Sequence, residues 1–423
     1  MSLNPIFQDH VSRRELLKGA LATSSGVAVA NWGGLFASPA RAEEVKKNQK
    51  RCILLWMNGG ASQFETFDMK VGRPTGGPFR PISTNVAGAQ VCELLPRISQ
   101  QMDKLTVIRS MHTSEIDHPQ GIHLMHTAYS TEANIRFPEL GAVIAKSLGV
   151  TGSSLPNFIK IGSNGDTGAG FLGPKYQPFN MGHDGKLPTF AQSSMEPNAE
   201  ARRDSLRQFV EDRYTATHRA ETAKMHREAY DSARRLQSAL QTFKIDEEWQ
   251  KYEPLYGDSF FGRNCLLARQ LVEAGVPFVE VGHSGYDTHA DNFTGHKGLL
   301  APMDQGWAGL LTDLHARGLL EHTLVVWMGE IGRTPQINNR AGRDHYVRAW
   351  STALAGGGVK GGLVYGETDE DGRDVKSGEV KEGDFFATIY HTLGISPTSE
   401  NLAGSRPVPI APFGSKVVQE LLV

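Results

Sequence analysis

Four short runs of apolar residues constrain this chain most: "CILLWMNGG" (52–60), "KLTVIRSM" (104–111), "FVEVGHSG" (278–285) and "TLVVWMGE" (323–330). Runs with so little polar alternation suit strands covered on both faces, as in the interior of a parallel sheet. Between the last two lies "GLLAPMDQGWAGLLTDLHARGLLEH" (298–322), whose apolar positions recur at helical spacing. Strand, long helix, strand is a crossover unit, and crossovers force parallel pairing. The expected class is therefore α/β, with a mostly parallel, doubly wound sheet and helices on both faces.

The 423 residues are enough for one large domain with a substantial core, and a composition of 39% hydrophobic and 21% charged residues is that of a globular protein. A net charge of -2 lacks the basic excess of a polyanion-binding surface, so nucleic acid is not an expected partner. Residues 192–253 change character to charged helical segments and are expected to form a helical insertion. The glycine-rich stretch 161–185 is long for a connection, and long loops in compact domains often belong to sites. The N-terminus pairs Arg13 with Arg14, continues through an Ala/Gly/Ser-rich stretch and ends on Ala40-Arg41-Ala42. This reads as a twin-arginine export signal over residues 1–42, leaving a single domain over 43–423 and a periplasmic or exported protein. No other segment of the mature chain has the length and apolarity of a membrane span. Cys52, Cys92 and Cys265 show no metal-ribbon spacing and are expected to be buried thiols.

Ligands of open α/β sheets bind beyond the carboxyl ends of the strands, and there the polar residues cluster. Asn58 and Asp68 follow the first run; Asp117, His118, His123 and His126 follow the second. Asp287 and His289 follow the third, and Glu330, Arg333, Asp344 and His345 the fourth. Carboxylates and imidazoles converging from four strand ends form an N/O donor set suited to zinc, manganese or iron. A cation held there would acidify water or polarise a phosphoryl or sulfuryl oxygen. Arg333 and Arg343 offer planar forks for an oxyanion.

"LLWMNGGASQFETFD", "DHPQGIHLMHTAY", "GYDTHADN", "GEIGRTPQINNRAGRDHY" and "DFFATIYHTLGI" resemble the uncharacterised bacterial family catalogued as domain of unknown function 1501. That family is similar to the sulfatase and alkaline-phosphatase-like superfamily. The resemblance runs from about Arg51 to Pro397 and implies an alkaline-phosphatase-like fold. It implies metal ligation by Asp287, His289, Glu330 and His345, with Asn58 at the first-strand position unless Asp68 reaches in. Ile331 stands where the superfamily places a further histidine ligand. The nucleophile position falls on His118 with Asp117 beside it, and Thr113 and Ser114 lie upstream. Such a histidine can serve as phosphoryl acceptor, ligand or general acid/base, and Arg333 would steady the anion. The implied cofactor is a divalent metal, zinc first, with manganese or calcium as alternatives. The implied partner is a small-molecule or polysaccharide sulfate or phosphate ester, hydrolysed by a metal-dependent mechanism. The competing expectation is a non-catalytic envelope protein that uses the same fold to bind a sulfated or phosphorylated polymer or a protein partner.

Overall fold

The computed structural model describes residues 49–149, 155–163, 167–185, 196–217 and 245–423, with residues 227 and 230. The export signal expected over residues 1–42 lies outside them, as does most of 218–244 in the expected helical insertion.

The core is built on one nine-stranded sheet. Its strands are β1 (Arg51–Asn58), β2 (Leu105–His112), β3 (Phe158–Ile161), β4 (Phe179–Met181), β5 (Phe278–Ser284), β6 (Thr323–Met328), β7 (Trp350–Ala355), β8 (Leu363–Tyr365) and β9 (Val380–Lys381). The order across the sheet is β8-β2-β7-β6-β1-β5-β3-β4, with β9 also pairing with β2. β1 lies in the middle, parallel to β5 on one side and β6 on the other. Only β7 runs antiparallel, between β2 and β6. The carboxyl ends of β1, β2, β5 and β6 therefore open on one edge of the sheet, as a mostly parallel sheet requires.

Helices cover both faces. The main ones are α1 (His118–Thr127), α2 (Leu140–Leu148), α3 (Pro197–Thr217), α4 (Ile245–Tyr256), α5 (Phe260–Glu273), α6 (Asn292–Ala316) and α7 (Glu382–Thr392). The two-residue period of β1 splits its buried side chains between two cores. Ile53, Leu55 and Met57 pack with residues of α5 and α6 on one face. Cys52, Leu54 and Trp56 pack with residues of α1, α2 and α7 on the other. The long crossover helix read from the sequence is α6; it starts at Asn292 and stops at Ala316, followed by a short 3-10 turn before β6. α5 begins at an N-cap serine, Ser259, whose side chain accepts from Gly262 N at 3.0 Å. Of the two charged helical segments in the expected insertion, the first is α3, which leaves Leu206 and Phe209 exposed, and the second, 223–243, lies outside the described residues apart from 227 and 230; α4, at the insertion's far edge, packs Trp249, Tyr252 and Leu255 on the core.

All three cysteines are buried and free. No helix among the described residues is long and apolar enough to cross a membrane. Trp307 of α6 stacks on Trp327 of β6 with ring centroids 5.8 Å apart, and Phe67 meets Trp327 edge-on. These contacts seat the crossover helix on the central strands. Trp327→Ala is expected to cost about 3–5 kcal/mol of stability, measured by urea unfolding at 25 °C.

Candidate metal centre

Four side chains meet at the open edge. His118 is the first residue of α1, which follows β2 after a five-residue loop. Asp287 and His289 come from the loop between β5 and α6. His345 lies on a two-stranded ribbon in which His345 pairs with Arg333 and Tyr346 with Gly332, immediately beyond β6. Their donor atoms all lie within 4.8 Å of one another.

The convergence point is a single oxygen. Asp287 Oδ1 lies 3.1 Å from His118 Nε2, 3.0 Å from His289 Nε2 and 3.3 Å from His345 Nε2. Arg333 Nη2 donates to the same oxygen at 2.8 Å. His289 Nε2 and His345 Nε2 are themselves 3.0 Å apart. Burial pushes the Asp287 carboxyl up, but hydrogen bonds from Arg333 and His118 hold it well below the usual carboxylate range. His118 is raised, chiefly by its bond to Glu330, while burial lowers His345.

Two of the imidazoles are fixed from behind. His118 Nδ1 is 2.8 Å from Glu330 Oε1, and His289 Nδ1 is 2.6 Å from Asp344 Oδ1. Each carboxylate holds the Nδ1 proton and turns Nε2 inward, the arrangement of carboxylate–histidine–metal sites. Glu330 is completely buried; its Oε1 also accepts from Gly59 N at 2.7 Å, and its Oε2 has no hydrogen-bond partner. Asp344 is held by Asn338, whose Nδ2 donates to it at 3.3 Å and to His289 O at 3.0 Å. Gly342 brings this loop against His289: a Cβ there would stand 2.0 Å from His289 O. The sequence places Asp344 among the strand-end polar residues without showing that it backs His289, and Asn338 is signalled only by the turn composition of "NNRAG".

The other expected site residues are placed as follows. Arg333 is fully buried and its fork is already occupied: it donates to Gly59 O, to Gly60 O at 3.0 Å, to Arg343 O at 3.2 Å and to Asp287. Asn58 ends β1, and its Oδ1 takes a long contact from Trp56 Nε1 at 3.4 Å. Asp117 precedes α1, exposed and without a capping bond from its side chain. Asp68 does not reach in; its oxygens receive Lys70 Nζ at 2.9 Å and Thr368 Oγ1 at 2.5 Å. Ile331 is buried packing: Gly121 of α1 approaches so closely that a Cβ would lie 3.3 Å from Ile331 Cγ2. Arg343 pairs with buried Glu65 at 3.0 Å and donates to Thr75 O, Thr334 O and Pro335 O, which orders the loop leading to His345.

The turn after β1 is fixed by two further groups. Gln63 donates to Arg333 O and Ala349 O and accepts from Arg333 N. His296 of α6, wholly buried, accepts from Ser62 N at 2.9 Å.

The donors fit a metal. Tetrahedral coordination with bonds of about 2.0–2.1 Å implies ligand–ligand edges of about 3.3 Å; four of the six distances among these atoms run from 3.0 to 3.3 Å, and all six are within 4.8 Å. Without a central cation, one carboxylate oxygen with two lone pairs faces four nitrogens. Three imidazoles and a carboxylate also match zinc's preference for N and O donors.

Residues 49–422 match the family described as "Protein of unknown function (DUF1501)", and the chain belongs to that family. No curated protein matches it. Solved structures similar to it include a sulfatase from Pseudoalteromonas sp., 13% identical over 91% of this chain and 74% of that one, with a TM-score of 0.44. A phosphonate monoester hydrolase from Silicibacter pomeroyi is 10% identical over 88% and 76% of the two chains, with a TM-score of 0.39. A protein in the alkaline phosphatase superfamily from Vibrio parahaemolyticus is 10% identical over 82% and 67%, with a TM-score of 0.37.

Two outcomes follow for the supporting shell. Arg333→Met strands several buried carbonyl oxygens and is expected to cost at least about 3 kcal/mol in urea unfolding, at 1–3 kcal/mol for each unsatisfied group. Burial lowers His296 to about 4, against an ordinary value of 6.5. Between those pH values the unfolded chain binds a proton that the native state refuses, so His296 removes up to about 1.4 kcal/mol per pH unit as pH falls. Comparing wild type with His296→Gln by denaturant titration from pH 7 to 4 isolates that slope.

Proposed function

We propose that the protein is a metal-dependent hydrolase of sulfate or phosphate esters, exported by a twin-arginine signal to the periplasm. The observation that carries the reading is the convergence of three imidazole Nε2 atoms on Asp287 Oδ1 at ligand–ligand spacing, with two of the rings backed by carboxylates. In this assignment His118, Asp287, His289 and His345 are the ligands. Glu330 and Asp344 stand behind His118 and His289, so Glu330 fixes a ligand instead of binding metal. Arg333 holds Asp287, and Asn58 lies at the margin. Zinc suits this donor set best; manganese is the alternative, and calcium fits least because it prefers an all-oxygen shell.

A divalent cation held by these four residues would supply Lewis acidity toward an ester oxygen and acidify water, provided it admits that oxygen as a further ligand beyond the four from the protein. The chain's own residues do the rest. The ligand face is open to solvent, with Asp287 45% and His289 35% exposed at the side chain, so an ester group has access. The N-terminus of α1, beginning at His118, presents partial positive charge toward an anion. Asp117, exposed and uncommitted to its helix, carries the proton between the attacking water and the departing alcohol. The absence of Ser, Thr or Cys at His118 favours direct attack by water over a covalent intermediate.

That same absence supports a second reading, a non-catalytic envelope protein that binds a sulfated or phosphorylated polymer. Calorimetry and turnover separate the two. Chelator-stripped wild type is expected to bind one zinc and to hydrolyse an aryl sulfate or aryl phosphate only when reloaded. His289→Ala should abolish both, and Asp344→Asn should weaken zinc binding about 10–100-fold. Turnover insensitive to chelator would contradict the metal reading. Zinc binding together with uptake of a sulfated glycan, without turnover of either ester, would select the second.

A further inference from the structure

A second charged cluster lies wholly inside the protein, on the face covered by α1 and α2. Its members are His126 of α1, Glu139 just before α2, Lys160 of β3, Ser163 just after β3 and Glu280 of β5, all buried. Lys160 and Glu280 are register partners on paired strands. Lys160 Nζ is 2.6 Å from Glu139 Oε2 and 3.4 Å from Glu280 Oε2. Glu280 Oε1 receives His126 Nε2 at 3.3 Å and the Ser163 hydroxyl. The other Glu139 oxygen accepts from Thr167 N at 3.1 Å and Gly168 N at 2.8 Å.

The bonding pattern sets the charges. His126 Nδ1 is 2.9 Å from Ile122 O, and a carbonyl can only accept, so Nδ1 carries a proton. Glu280 has the Ser163 hydroxyl on Oε1 and the Lys160 ammonium 3.4 Å from Oε2 and stays ionised, so Nε2 carries the second proton. His126 is thus an imidazolium, with the Trp56 ring centroid 4.1 Å away. Two cations balance two anions. Such clusters seldom stabilise a fold more than apolar packing would; what they fix is geometry.

The element fixed here is α1. His126 lies near one end of the helix and His118 at the other, eight residues or about 12 Å away. Between them Gly121 rests on Ile331 and Glu330. The helix is held at three points: His118 to Glu330, Gly121 against the end of β6, and His126 to Glu280. β5, which carries Glu280, leads into Asp287. We infer that His126 and Glu280 are positioning residues for the metal centre, setting the tilt of α1 and hence the reach of His118 Nε2 to Asp287. The inference rests on the metal-site reading above.

Zinc affinity and amide hydrogen exchange test it, on the full chain and below each variant's melting temperature. His126→Gln is expected to weaken zinc binding about tenfold and to speed exchange in α1. The control is Lys160→Met combined with Glu139→Gln, which removes one charge of each sign and leaves the His126–Glu280 bond. Its affinity should stay within about twofold of wild type whatever its stability. Wild-type affinity in His126→Gln, or equal losses in both variants, would overturn the inference. If wild type binds no zinc, the site reading fails, and α1 exchange then decides the anchoring claim: acceleration in His126→Gln but not in the control supports it, and unchanged exchange refutes it.

Discussion

One carboxylate oxygen organises the open edge of this protein. Asp287 Oδ1 gathers His118, His289, His345 and Arg333, and these groups arrive from separate segments beyond β2, β5 and β6. Imidazoles do not collect on one oxygen without a reason, since each nitrogen that lacks a proton repels it and each that carries one competes for two lone pairs. On the proposed reading, a cation at the centre would resolve that crowding. The carboxylates behind His118 and His289 suit that reading, because they hold Nδ1 and leave Nε2 facing inward.

The cost of holding these groups falls on buried polar contacts around them. Arg333 is used by backbone carbonyls on both sides of the site, Gln63 ties the turn after β1 to the ribbon beyond β6, and Arg343 with Glu65 orders the loop that delivers His345. Glycine matters where backbones touch, as at Gly342 against His289. A site of this kind is rigid because its supports are buried, while Asp287 and His289 stay accessible.

Much of the fold was legible in the sequence. Apolar runs and the crossover helix gave the central strands and their parallel pairing, because burial on both faces leaves a strong local signal. β7, "WSTALA", escaped notice: it is short, and its reversal is decided by neighbours far along the chain. That Asp287, His289 and His345 lie together was legible because they follow strand ends that a parallel sheet brings to one edge. The bond between His118 and Glu330 was not legible, since a contact between residues 212 apart in the chain leaves no local trace. The buried cluster did leave one: Lys160 in "FIKI" and Glu280 in "FVEV" are opposite charges inside apolar strands. Such positions call for a partner, and register alone pairs these two.

The central claim concerns what sits between Asp287 and the three imidazoles. X-ray absorption at the metal edge, on full-length protein purified without chelator and quantified by elemental analysis, tests it most directly. The account predicts about one zinc per chain with three nitrogen and one carboxylate-oxygen neighbours from the protein at about 2.0–2.2 Å. Protein that carries no metal and takes none up from added zinc would contradict it.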